Sequence, residues 1–520
     1  MIVRNSFFII LSLFLSISSL ATSQEEITQL DSNQAEYDGK KITLSGDVTV
    51  EHELGSMSAN RAILLPASPE KKIRFGFIKL HDNVKIALKD GGQLTCSFAD
   101  INYQSLKGGF FGGPQQDFVV YMDALRDKTS NEVRSIVLKS KEMSVQILRE
   151  EIKTAEAKSK ISNIMAEQNV TVDYNHDFIA ASDYAMYQRT PPAEGESAIS
   201  MPGLISLRAA ETNGVCQITN RNGDLIKAGQ IGIDTTKKLL TFVFPRGALV
   251  SIRDGEKNER IDFSADAMYW DDVSDVLTLR DHVVISQKGL GKLSGDQEVK
   301  IFQHKAEGKK QLKEIESLGK TVLTFMDEDS KMSHTLRCYE RVYIDNLHLE
   351  AYLSSPLDPQ GVVIEGKQVF FQDDYGEIFA DKVRVQYTIV DHEIQPNKVY
   401  LDGNVQIFNR YSGEPELSGR LVQYALSDSV EFTPKTQEML FKSSEGRRVL
   451  FYDKANNLQV SAPALKITRN PSSNKESIQG IGDVRFSFIE HEFEQLRKRF
   501  DLHKEVKAEA AAEKEISQQE

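Results

Sequence analysis

The sequence predicts an all-β chain, a repetitive open β-jelly-roll or solenoid of stacked antiparallel strands with a short C-terminal helix. Three observations lead there. A valine-centred phrase recurs six times, a looser phrase built on a small residue and Asp or Asn accompanies it, and strand-like patterning runs from about Leu30 to Phe488.

The six copies are Ile42 to Val50, Ile78 to Ile86, Ile164 to Val172, Leu277 to Ile285, Val399 to Ile407 and Ile478 to Phe486. In each, apolar residues two apart share one face of a strand, because side chains alternate across it. That places Val48, Val50, Val84, Ile86, Val170, Val172, Val283, Ile285, Val405, Ile407, Val484 and Phe486 on the inward side. Just before each central valine stands a pair drawn from Gly, Asp or Gln followed by Asn, Asp or His. Gly, Asn and Asp accept positive φ values that valine resists, so the pair predicts a bulge or a sharp corner within the strand.

The companion phrase includes Asn60, Asp183, Asp266, Asp296 and Asp381, each beside small residues such as Ala or Gly. Small residues recurring at one place predict close approach of backbones in successive layers. Val48, Val170, Val283 and Val405 are spaced by 122, 113 and 122 positions, and Cys96, Cys216 and Cys338 by 120 and 122, which predicts a larger duplicated block.

The reading by segment is a signal peptide at 1–23, four β-repeat blocks at 24–150, 151–260, 261–385 and 386–488, and a charged helical tail at 489–520. Arg4, an apolar run from Phe7 to Ile17 and small residues at Ser19 to Ser23 match a cleaved secretory signal; the run is too short for a membrane-spanning helix. The chain is therefore expected to be exported. Breaks rich in Gly, Pro and charge are expected as seams, among them Gly108 to Pro114 and Ser354 to Gln360. The tail is rich in Glu, Lys, Arg, Ala and Leu, and Phe493, Leu496, Phe500 and Leu502 are expected to dock on the last strand as a cap.

A formal net charge of −13 argues against a nucleic-acid partner, since phosphate binding needs surplus cations. Three cysteines in an exported chain cannot all pair, and buried free thiols are the favoured reading over one disulfide. The ten histidines show no metal-binding spacing, and no catalytic spacing is legible. Neither metal, cofactor nor enzymatic activity is expected. Asp271-Asp272 and Asp373-Asp374 read as solvated turns.

The phrase from Ile42 to Val50, followed by Gly55 to Ala62, resembles the OstA-like family of periplasmic lipopolysaccharide-transport proteins, as does Val399 to Leu421. The resemblance is sharp near 31–62, 161–187 and 396–424. It implies an open, twisted jelly-roll whose apolar interior carries the acyl chains of lipopolysaccharide, and makes the twelve inward residues lipid-lining candidates. It also implies inner- and outer-membrane transport proteins as partners through edge strands, expected near Ile42 to Val50 and Ile481 to Phe488, with head-to-tail self-association as a further use of such edges. The chain is much longer than the soluble bridge proteins of that family and lacks the alternating spans of an outer-membrane barrel. A structural or adhesive surface repeat protein is the first alternative, and a secreted carbohydrate-active β-helix enzyme the second.

Overall fold

The computed structural model describes residues between Gln29 and Arg485, except 53–54, 68–74, 90, 127–132, 151–157, 191–200, 211–213, 222, 254–255, 288–290, 307–308, 327–332, 375, 391–392, 411–420, 455–457 and 471–474. The proposed signal peptide and helical tail lie outside the described residues. Within them the chain is all-β, with thirty-nine strands and one short 3-10 turn. The pairings are antiparallel, and the chain divides into two compact units, Met1–Ala210 with Asp234–Thr236, and Glu211–Ile233 with Lys237–Glu520.

In the first unit, long strands cross a corner as single elements. Ile42–His52 pairs with Gly55–Pro66, which pairs with Phe75–Leu88, which pairs with Gln93–Asn102. Each ladder shifts register at the corner, between Ser45 and Val48, Ser58 and Arg61, and His81 and Val84. Those breaks coincide with the predicted pairs. Gly46, Asp47, Asp82, Asn83, Gln168 and Asn169 all have positive φ. The extra residues tip the strand through a corner and keep apolar side chains inward on both arms.

The second unit shows the same corner with the chain cut into shorter hairpins. Two strands pair on one side of the corner, the chain steps across, and the next two pair on the other. Arg246–Arg253 and Glu256–Ser264 lie in a front ladder, Ala267–Asp271 and Val276–Arg280 in a back ladder, and Val283–Gln287 and Gly291–Gly295 return to the front. The alternation continues to Val369–Gln372 and Gly376–Ala380 in front and Lys382–Val390 behind. Glu393–Arg410 and Leu421–Thr433 then serve both ladders, each bending at its middle.

The two recurring phrases are successive passes through this corner. Asn404 Nδ2 donates to Asp381 Oδ2 at 2.9 Å, His282 Nδ1 lies 2.7 Å from Asp266 Oδ2, and Asn83 Nδ2 donates to Asn60 Oδ1 at 3.4 Å. The Asp266 carboxylate raises the His282 pKa above its ordinary value. Backbone bonds stack the turns as well: Asp281 N donates to Gln297 O at 2.7 Å and Asp381 N to Gly403 O at 2.9 Å. The Asp or Asn of the companion phrase therefore ties one layer's corner to the next.

Two expectations are corrected. The seam at Gly108 to Pro114 is largely strand, since Lys107–Phe111 pairs on both sides, with Gln93–Asn102 and Glu142–Glu150. Gly108 serves packing there, because a Cβ would stand 2.9 Å from Val145 Cγ2. Phe110 is buried and Phe111 exposed. The edge at Ile42 to Val50 is also covered: Leu30–Asp31 and Gln34–Tyr37 pair along its outer side. Nothing in the phrase pattern announces these two short strands, and the exposed residues Gln34 to Tyr37 form the outer edge instead.

The interior lies between the arms of the corner. Cys96, Cys216 and Cys338 are buried and none is in a disulfide, in line with the favoured sequence reading. Cys338 Sγ donates to the carbonyls of Arg341 and Ser354 at 3.2 and 3.1 Å. Burial pushes the Cys96 thiol from 9.0 up to about 12, and Tyr387 from 10.0 to about 12. A folded value above the unfolded one means that the stability contributed by each neutral group is complete below the unfolded pKa and lost as pH rises through the folded one. Alkaline titration followed by circular dichroism is expected to stay flat to about pH 9 and fall between about 9 and 12. Native protein is expected to resist alkylation at all three cysteines until denatured; rapid native labelling of Cys96 would contradict this burial.

Candidate functional site

Opposite the corner, the ladders of the second unit part around a cavity of about 340 Å³. Glu393–Arg410 and Leu421–Thr433 create it, because each runs from one ladder through the bend into the other. Residues of odd number after the bend in the first, and before it in the second, face inward. Ile407 and Ala425 thus come from the front ladder, with Phe451 beside them on Val449–Asp453. Phe432, Met439, Phe441 and Ile467 supply the back-ladder wall. Val405, Ile407, Ala425, Val430, Phe441 and Phe451 belong to one continuous buried core, so the cavity's floor is packed.

The far ends of the same strands give a polar rim. Asn409, Gln423, Gln437 and Arg469 border the cavity away from the bends at Gly403-Asn404 and Asp428. Asn409 Nδ2 donates to Gln423 Oε1 at 3.0 Å, and Gln423 Nε2 donates to Asp453 Oδ2 at 3.1 Å, which fixes the front of the rim. At the back, Pro434–Thr436 forms a single 3-10 turn closed by Gln437 at φ 50°. Asn409, Gln437 and Arg469 at the rim are exposed, while Ile407, Phe441 and Phe451 are buried and Phe432, Met439 and Ile467 half-buried. An apolar floor, a polar rim and this volume suit a ligand with an apolar chain and a polar head. Among the described residues no group of three or more His, Cys, Asp or Glu could hold a metal ion.

The twelve inward candidates fall into three sets. Val48, Val50, Val84, Ile86, Val170 and Val172 are buried in the first unit. Val283 and Val405 are buried, Ile285 is half-buried, and Val484 packs partly buried against the core that contains Val405 and Ile407. Phe486 lies outside the described residues. Ile407 is the candidate that lines the cavity. Sequence reading missed Phe432, Met439, Phe441, Phe451 and Ile467, which come from strands without the valine phrase. Alternation in Met439-x-Phe441 and Val449-x-Phe451 was the available signal, but it cannot say that the two strands face each other.

No family model and no curated protein sequence matches this chain. The fold and site define an all-β repeat protein with corner-stacked strands and an opening of apolar floor and polar rim between two ladders. Among the described residues no helix is long and apolar enough to cross a membrane.

Proposed function

We propose that this protein is a periplasmic, non-enzymatic carrier that binds lipopolysaccharide or a related amphiphile between its ladders and helps to move it toward the outer membrane. The observation that carries this reading is the cavity opposite the corner, with Ile407, Phe451 and Met439 inside and Asn409, Gln437 and Arg469 at its rim. Burying a methylene is worth about 0.8 kcal/mol, so roughly ten methylenes would gain on the order of 8 kcal/mol before ordering costs. The rim leaves a polar head in water, and Arg469 brings it a positive charge. The signal-like N-terminus and the OstA-like phrases agree with this reading.

Photo-crosslinking in cells tests it. A benzophenone side chain replacing Met439 or Ile407 is expected to yield lipopolysaccharide adducts, while one replacing Tyr269, exposed on the outer face of the back ladder, is expected to yield none. Met439 is only half-buried and tolerates the larger group; Val170, fully packed, would not. No adduct at either cavity position in folded, exported protein would sink the transport reading and favour a structural spacer.

A further inference from the structure

The front ladder of the second unit has an outward face that is as dry as its interior. Phe370, Phe379, Phe408 and Tyr424 are 5%, 5%, 1% and 6% exposed, yet they alternate with the inward residues Val369, Ala380, Ile407 and Ala425. They sit on four successive strands as cross-strand neighbours, Phe370 opposite Phe379 and Phe408 opposite Tyr424. On the same face Glu377, 2% exposed, accepts a hydrogen bond from Arg410 at 3.2 Å. The back ladder covers only the inward side. Apolar rings and a carboxylate on the outside of a sheet lose water only when something lies over them.

We propose that this outward aromatic face is the docking site of the chain's own segment 486–502. Three observations select that occupant. Arg485 is held to Ser461 of Leu458–Ala462 by two backbone hydrogen bonds, Arg485 N to Ser461 O at 2.7 Å and Ser461 N to Arg485 O at 2.8 Å. The chain therefore leaves its last described residue beside the strand that ends this same ladder. From there, Val449–Asp453, the first half of Leu421–Thr433, the second half of Glu393–Arg410 and Gly376–Ala380 follow in order, so the aromatic face begins within three strands.

Reach and pattern agree. Five strand spacings of ~4.8 Å make about 24 Å, and 486–502 as a helix would span about 25 Å at ~1.5 Å per residue. Ile489, Phe493, Leu496 and Phe500 recur at the three- and four-residue spacing that would form one apolar stripe of a helix, flanked in sequence by Glu490 and Glu494, and the sheet face carries Arg337 and Arg410. This inference does not depend on the lipid reading.

The test uses full-length protein with a benzophenone side chain in place of Tyr452, which packs partly buried at the border of the face, and a control at Tyr269. Irradiation of an equal mixture of isotopically light and heavy protein, followed by peptide mapping, is expected to join position 452 to peptides from 486–502 of the same isotope. Mixed-isotope adducts would assign the face to a second copy, and adducts to another segment, or none, would also overturn the proposal. In a second measurement, F493S/F500S is expected to lower amide protection at least tenfold in Gly376–Ala380 and the 405–410 half-strand while leaving Ile42–His52 unchanged. Unchanged protection at 405–410 would overturn it.

Discussion

Gly403→Val is expected to destabilise the second unit by about 3–5 kcal/mol, combining left-handed strain at a β-branched residue with overpacking. Gly403 has φ +77°, and a Cβ there would lie 2.3 Å from Asp381 Oδ2 and 2.7 Å from Asp381 Cβ. Asp381 cannot give way freely, because its carboxylate accepts hydrogen bonds from Asn404 and Gln368 at 2.9 and 2.7 Å. The substitution therefore attacks the backbone bend and the inter-layer tie together. Trp270, the single tryptophan, lies in the same unit and reports urea unfolding by fluorescence. Asp82→Gly, at a left-handed corner position of the first unit, is the contrasting case and is expected to change stability by no more than about 1 kcal/mol. Equal effects at the two sites would show that the corner is not a constraint.

Phe441→Ala is expected to cost about 3–5 kcal/mol, the range for truncating a large buried aromatic. Phe441 is among the largest fully buried side chains and belongs to a core fed by both ladders. It also touches the cavity, so its loss enlarges the space between the ladders as well as removing contacts. The measurement is the urea midpoint with and without a saturating amphiphile. Partial recovery of the lost stability by an acyl chain would show that the vacated volume is continuous with the binding site. A loss below about 1 kcal/mol would mean that the ladders simply close over the gap.

The corners were legible because their signal is local. Gly46-Asp47, Asp82-Asn83, Gln168-Asn169, Asp281-His282 and Gly403-Asn404 carry the left-handed backbone themselves, and the register breaks or strands change at those residues. Alternation similarly gave the burial of Val48, Val84, Val170 and Val283. The site was less legible. Ile407 appeared among the twelve inward residues, but Phe432, Met439 and Phe451 lie on strands whose only mark is ordinary alternation.

Sequence alone determined the all-β class, the burial of Val48, Val84, Val170 and Val283, and the bent strands, since each depends on side-chain periodicity or on the conformations open to one or two residues. Only the tertiary structure decided that the companion-phrase acids tie neighbouring corners, that Gln34–Tyr37 covers the expected edge, and that the ladders part at Asn409 and Gln437. Those features join residues from different strands, and periodicity fixes which face a side chain takes without fixing which strand it meets.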